Sequence, residues 1–138
     1  GLMFDNGHGV PEDNKAAVKW WKLAAKQRVA SAQLNLGNMY AKGRGVPQDY
    51  KAAVNWWKLA AEEGDARAQY QLGLVYGMGT GVIQNNVYTH MWANLAASNG
   101  NKNGGKLRDI IAEEMSAADI SAAQKLAREC VRKKYKGC

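Results

Sequence analysis

Cysteine and histidine, the side chains most often used in nucleophilic and metal chemistry, are scarce in this chain. Its 138 residues include two histidines, His8 and His90, and two cysteines, Cys130 and Cys138. A structural zinc site usually takes four cysteine or histidine ligands, which two lone cysteines do not supply. His90 occupies a helix position at which we expect intermediate burial. The sequence therefore predicts neither a metal site nor a cofactor.

Serine chemistry is also poorly supported. A nucleophilic serine of the penicillin-recognising enzymes stands in a Ser-x-x-Lys motif, with a lysine three residues later. In this chain Ser31, Ser98, Ser116 and Ser121 are followed at that distance by Leu34, Asn101, Asp119 and Gln124. The sequence also has no His-Glu-x-x-His motif and no Gly-x-Ser-x-Gly elbow. We therefore expect a protein without enzymatic activity.

The sequence repeats with a period of 36 residues. Gly9-Val10-Pro11 recurs at 45–47 and, with isoleucine in place of proline, at 81–83. The pair Trp20-Trp21 recurs at 56–57 and, altered, as Trp92-Ala93. A fixed period of this size is typical of arrays in which each unit buries its apolar face against its neighbours.

Each unit carries the signals of two helices. In the middle unit, apolar residues at helical spacing predict a first helix over Ala30–Lys42. Gly43 and Gly45 then suit a left-handed helix end and a turn. Asp49 supplies the side-chain acceptor with which a second helix can begin. The pattern therefore predicts antiparallel helix pairs.

Known repeats share this spacing. Leu36-Gly37-x-x-Tyr40, followed by Ala53-x-x-x-Trp57-x-x-Ala60, has the tetratricopeptide spacing with a longer turn. That turn, Gly-x-Gly-Val-Pro-x-Asp, and the period resemble the Sel-one-like repeat family. The resemblance implies an all-α fold in one domain, a right-handed α-solenoid with repeats at about 1–29, 30–65 and 66–101. It also implies a scaffold that binds an unknown protein or peptide.

The third unit departs from the pattern. Ile83, Thr89 and Ala93 replace the proline, alanine and tryptophan of the other units. Its second helix is therefore expected to pack against something different, and the segment 102–138 is the candidate. The apolar pattern of this segment predicts a further pair of helices, in which Ser116 and Asp119 form a capping box. We interpret it as a cap on the last exposed core face of the array.

The Cys-x7-Cys spacing resembles the bridge that joins consecutive helices in the cysteine-rich bacterial branch of the same family. On a continuous helix, eight residues rise about 12 Å, which is beyond disulfide reach. Residues 133–137 would therefore have to fold the tail back. The resemblance implies a disulfide between Cys130 and Cys138, and with it a periplasmic or secreted protein. Without the disulfide, a cytoplasmic location is expected.

The tetratricopeptide resemblance places a ligand groove on the first helix of each unit. Carried over by position, the groove residues are Leu2, Asp5 and Asn6, then Ser31, Leu34, Asn38, Ala41 and Lys42, then Arg67, Tyr70, Leu74, Gly77 and Met78. Asn38 is the first choice for mutation, because its amide can both donate to and accept from a peptide backbone. Plain solvent exposure is the alternative for all these positions.

Two other functions stay open on the sequence alone. The cysteine-rich branch has been associated with penicillin binding or β-lactamase activity, although the Ser-x-x-Lys motif is missing here. The column of Trp20, Trp56 and Trp92 could bind cell-wall glycans, although a repeated aromatic residue is more often a packing residue. We expect this column to be partly exposed, and Trp21 and Trp57 to lie in the core.

The net charge is +7, with the basic excess greatest near the C-terminus. There Lys125, Arg128, Arg132, Lys133, Lys134 and Lys136 are opposed only by Glu129. We interpret them as a solvated helix end, and nucleic acid is not an expected partner, because no RNA-binding signature or helix-turn-helix spacing accompanies them. No run of 18 apolar residues predicts a membrane span. Bare aromatic residues at the N-terminal end favour self-association.

Overall fold

Residues 11–138 are described by a computed structural model, with side-chain placement from Asn14 onward. Within this range the chain forms seven α-helices and no strand: α1 (Pro11–Lys26), α2 (Ala30–Lys42), α3 (Tyr50–Glu62), α4 (Ala66–Met78), α5 (Asn86–Ser98), α6 (Lys102–Ala112) and α7 (Ala117–Arg132). Consecutive helices pack against each other from α1 to α6, as in a stacked solenoid. The predicted all-α fold is confirmed, and α2 has the predicted bounds.

The turn within each repeat depends on glycine and on a capping side chain. Gly45 and Gly81 have φ values of 74° and 76°, a left-handed conformation that glycine adopts without steric cost. The side chains of Asp49 and Asn85 accept backbone N–H groups at the starts of α3 and α5. A Cβ atom at Gly45 would lie 2.4 Å from the carbonyl oxygen of Asn14 in α1. The glycine therefore also lets one repeat stack closely on the previous one.

The core of the second repeat is centred on Trp57. Its side chain is 4% exposed, and its ring covers Gly37 of α2, where a Cβ atom would lie 2.5 Å from the ring. Ala53 and Ala60, one turn before and one turn after Trp57, are fully buried. The predicted core position of Trp57 is confirmed, while Trp21 is only half-buried.

The third repeat is packed differently, because Ala93 stands where the second repeat has Trp57. Helix α6 occupies the room that this smaller side chain leaves. A Cβ atom at Gly104 would lie 2.8 Å from the carbonyl oxygen of Ala93, and one at Gly73 would lie 3.2 Å from the Leu107 side chain. The expectation that the C-terminal segment packs against the third repeat is confirmed.

Helix α7 packs against α5 and does not run along α6. Its buried face consists of Ala123, Ala127 and Cys130, and it shares a hydrophobic cluster with Met91 and Leu95 of α5. The two helices that the sequence predicted in the segment 102–138 are thus present, and both pack against α5. Helix α6 lies on the inner side of α5, and α7 lies on its outer side.

The chain turns back after α7 and is closed by a disulfide. Lys134 and Tyr135 have positive φ values of 54° and 67°, which reverse the chain after the helix. Cys130 and Cys138 are bonded, with their Cα atoms 5.7 Å apart. The predicted disulfide and the fold-back that it requires are both confirmed.

The closed tail rests on the end of α3. The backbone N–H of Gly137 donates to the Glu62 carboxylate at 2.9 Å, and the Lys136 ammonium lies 3.4 Å from the Glu63 carboxylate. The Tyr135 hydroxyl donates to the side chain of Asn99 at 3.3 Å. The tail therefore connects α7 to the turns that end both α3 and α5.

Candidate functional site

The predicted groove residues of the third repeat lie on one side of α4, away from its buried face. Positions i, i+3, i+7 and i+11 of a helix share a side, which groups Arg67, Tyr70, Leu74 and Met78. Met78 is 66% exposed, Arg67 is exposed, and Tyr70, Leu74 and Gly77 are half-buried. The structure therefore brings these residues together along a single accessible strip.

The equivalent side of α2 is only partly accessible. Ser31 and Lys42 are exposed and Asn38 and Ala41 are half-buried, whereas Leu34 is 5% exposed and belongs to the hydrophobic core. This corrects the groove position that the sequence gave to Leu34. The first-unit positions Leu2, Asp5 and Asn6 lie outside the described residues.

Asn38 already has a partner within the fold. The indole N–H of Trp57 donates to its side-chain oxygen at 3.2 Å. That oxygen orients the buried tryptophan, so its second lone pair and the two amide N–H groups are what Asn38 can offer to a peptide backbone. The third repeat has neither partner of this bond, since Leu74 replaces Asn38 and Ala93 replaces Trp57.

Arg67 is held at the beginning of α4 by Asp65. The Asp65 carboxylate caps the helix by accepting the N–H groups of Arg67 and Ala68 at 2.9 and 3.1 Å. It also lies 3.1 Å from the Arg67 guanidinium, whose side chain is still 62% exposed. The capping contact fixes the arginine, while its other donors face solvent at one end of the strip.

Helix α6 extends this accessible side, a feature that the groove prediction missed. Ile110 lies 36 residues after Leu74 in the sequence, the spacing of one repeat, and it is 62% exposed. Since Leu107 of the same helix reaches Gly73 of α4, α6 lies alongside α4. The 36-residue spacing could have indicated Ile110 as a groove position, although the segment 102–138 lacks the Gly-Val-Pro turn. We call Leu74, Met78 and Ile110 the concave strip, after the groove of the tetratricopeptide pattern that the sequence resembles.

The tryptophan column that suggested glycan binding is not a repeated surface. Trp20 is 75% exposed and Trp92 is 1% exposed, with Trp56 half-buried between them along the array. The expectation of a partly exposed column is therefore wrong for Trp92. The column offers one fully accessible ring, not a row of three on which a glycan chain could stack.

His90 is buried, at 3% exposure, and not of intermediate burial as the sequence suggested. Burial is the main cause that lowers its pKa below the usual value for histidine, the Arg108 charge lowers it further, and Asp109 opposes the shift. Its Nδ1 has no hydrogen-bond partner in the described part of the chain. Among residues 11–138, no cluster of three or more metal-ligating side chains accompanies it. His90 is therefore a neutral core residue.

None of the helices in the described range is long and apolar enough to cross a membrane.

Comparison with known proteins agrees with this architecture. The Sel1 repeat model matches residues 1–29, 30–65 and 66–101. The chain is similar to c5321, a protective antigen present in uropathogenic Escherichia coli strains that displays an SLR fold. The TM-score is 0.86 and the identity 32% over 93% of this chain, which spans 28% of that protein. It is also similar to a Sel1 repeat protein from Oxalobacter formigenes, with a TM-score of 0.65 and 38% identity over 67% of this chain and 69% of the other.

A comparison with curated proteins finds no match. The family model nevertheless covers most of the sequence, and the observed helix pairs follow the matched repeats. The chain therefore belongs to the Sel1 repeat family.

Proposed function

We propose that this helical repeat scaffold binds an extended peptide or protein segment along the concave strip of Leu74, Met78 and Ile110. The observation that supports the proposal is the exposure of Met78 and Ile110, at 66% and 62%. The core residues of the first helices recur between the second and third repeats, as Leu36 and Leu72 do, whereas the residues of the strip change from unit to unit.

The chemistry of the strip defines the kind of segment that fits. Methionine has a flexible, polarisable side chain that adapts to different apolar partners. Lys42 and Arg67 add positive charge near this apolar surface, and both are exposed. The expected ligand therefore presents apolar side chains to the strip and carries carboxylates toward Lys42 and Arg67.

The proposal includes binding without catalysis and without a cofactor. The Cys130–Cys138 disulfide supports an oxidising compartment, periplasmic or extracellular. The description of the Escherichia coli relative as a protective antigen agrees with such a location. A fluorescent penicillin should leave the folded protein unlabelled, and covalent labelling would revive the enzyme alternative.

A displayed library of random peptides, selected against the folded chain, tests the groove. Peptides recovered from it should lose at least tenfold in affinity for Met78→Glu and Ile110→Glu, because a carboxylate would be placed against their apolar side chains. Ile83→Glu, an apolar-to-acidic change at an exposed position of the turn between α4 and α5, is the matched control and should leave binding unchanged. Circular dichroism verifies that all variants are folded. Selected peptides that bind both concave variants normally would refute the assignment.

A further inference from the structure

A second apolar surface lies on the outer sides of α1 and α3. Leu23, Leu59 and Leu95 occupy the same position of successive repeats, yet their exposed fractions are 62%, 44% and 2%. Trp20 of α1 is 75% exposed beside Leu23. We call Trp20, Leu23 and Leu59 the outer strip.

In the third repeat the equivalent surface is covered by a helix of the same chain. Leu95 and Ala127 line one crevice between α5 and α7, and Met91 and Cys130 belong to the same hydrophobic cluster. The outer side of a second repeat helix is therefore shaped to accept an amphipathic helix. Among the described helices, none packs on α1 or α3 in the way that α7 packs on α5.

The charge beside the outer strip differs between α1 and α3, whose outer sides are uncovered, and α5, which α7 covers. On α1 a lysine stripe at helical spacing borders the strip, and α3 continues it: Lys15, Lys19, Lys22, Lys26, Lys51 and Lys58. On α5 the equivalent positions are neutral: Val87, Met91, Asn94 and Ser98. The positive charge is thus confined to the part of the surface that α7 leaves open.

These lysines have no carboxylate partner within residues 14–138. The nearest interaction is that of the Lys22 ammonium, which lies 6.0 Å from the centre of the Tyr40 ring. The two carboxylates at the end of α3, Glu62 and Glu63, are occupied by the backbone N–H of Gly137 and by Lys136. The lysine stripe is therefore available to neutralise acidic groups of another molecule.

We propose that the outer strip binds an acidic amphipathic helix of a partner protein, seated on α1 and α3 as α7 is seated on α5. Helix α7 of a second copy is not such a helix, because its solvent-facing residues include Lys125, Arg128 and Arg132, which would oppose the lysine stripe. The partner helix places apolar residues at i, i+3 or i+4, and i+7 on the strip, and its flanking carboxylates face the lysines. This surface is separate from the concave strip.

The test uses two synthetic helices of 16 residues, the length of α7. Both carry leucines at i, i+3, i+4 and i+7; one has glutamate on its flanks and the other has lysine. Fluorescence anisotropy of the labelled peptides is measured against the full chain at low and high salt. The glutamate peptide should bind at least tenfold more tightly than the lysine peptide, and salt should reduce that difference.

Variants identify the surface that is used. Leu23→Glu combined with Leu59→Glu should abolish binding of the glutamate peptide, whereas Ile83→Glu, at an exposed position outside both strips, should leave it unchanged. Equal binding of the two peptides, or binding unaffected by the Leu23 and Leu59 changes, overturns the proposal. Binding to phosphatidylglycerol vesicles without binding of the glutamate peptide also overturns it and assigns the surface to anionic membranes.

Discussion

In the second repeat, Trp57 fills the space above Gly37 and the outer side of α3 stays open. In the third repeat, Ala93 leaves room for α6 and α7 closes the outer side of α5. The glycine turn and the capping side chain are thus common to two repeats whose second helices have different neighbours. The departure at Ala93, which looks like erosion of a motif, makes room for α6. In a repeat array, a position that changes indicates where a new element enters.

The strongest test of this comparison is the tryptophan column. Trp92→Ala should lower the free energy of unfolding by about 3–5 kcal/mol, as expected for a fully buried aromatic residue. Trp56→Ala should cost less, because Trp56 is half-buried, and exposed Trp20→Ala should cost below about 0.5 kcal/mol. Urea denaturation followed by circular dichroism measures all three, and similar costs would contradict the difference between the repeats.

A smaller loss of stability is expected when Gly37 or Gly73, which lie against the second helix of their repeats, is replaced. Gly37→Ala should destabilise the fold by about 1–3 kcal/mol, because the new Cβ atom would overlap the Trp57 ring. Gly73→Ala should cost less, since its Cβ atom would press on the flexible end of Leu107 at 3.2 Å and meet backbone atoms of Ala93 and Thr89 at 3.4 and 3.5 Å. Thermal unfolding compares the two variants.

The double variant Gly37→Ala with Trp57→Ala serves as the control. Its cost should be smaller than the sum of the two single costs, because removing the ring removes the overlap. Additive costs would show that Gly37 is needed for another reason.

The hydrogen bond between Trp57 and Asn38 predicts a coupling of about 1 kcal/mol. Asn38→Leu introduces the residue that the third repeat has at this position, and Trp57→Phe removes the donor while keeping an aromatic ring. A double-mutant cycle of these changes, measured by urea denaturation, isolates the bond. Independent effects would mean that Asn38 is free for a ligand, as the sequence first suggested.

The smallest predicted effect is a change in the pH dependence of the free energy of unfolding. It arises from His90, which stands where the other repeats have a valine. Because burial lowers the folded-state pKa of His90, the unfolded chain binds a proton more readily. The contribution of His90 to stability is therefore fully present above the usual histidine pKa of about 6.5, and it is lost as the pH falls through the folded-state pKa.

His90→Val should remove this part of the pH dependence. Urea midpoints of the two proteins between neutral and mildly acidic pH provide the comparison. Parallel curves would place the titration in another group.

The fold was largely predictable from local signals. The glycines near 43–45, the Asp49 cap and the period determine the helix pairs, and the Cys-x7-Cys resemblance gave the disulfide. The placement of α7 was not predictable, because an amphipathic stripe shows that a helix needs a partner without showing which one. For the same reason the sequence misassigned Leu34 and Trp92, whose burial depends on elements that are distant in the chain.

The tail that connects α7 to Glu62 and Glu63 also has a consequence for how the array comes apart. Repeat arrays commonly fray from their ends, since a terminal helix has neighbours on one side only. Here α7 leaves α5 only if the disulfide-closed tail also leaves α3. Reduction of the disulfide should therefore make the backbone amides of α7 exchange with solvent faster, while those of α2 keep their rate.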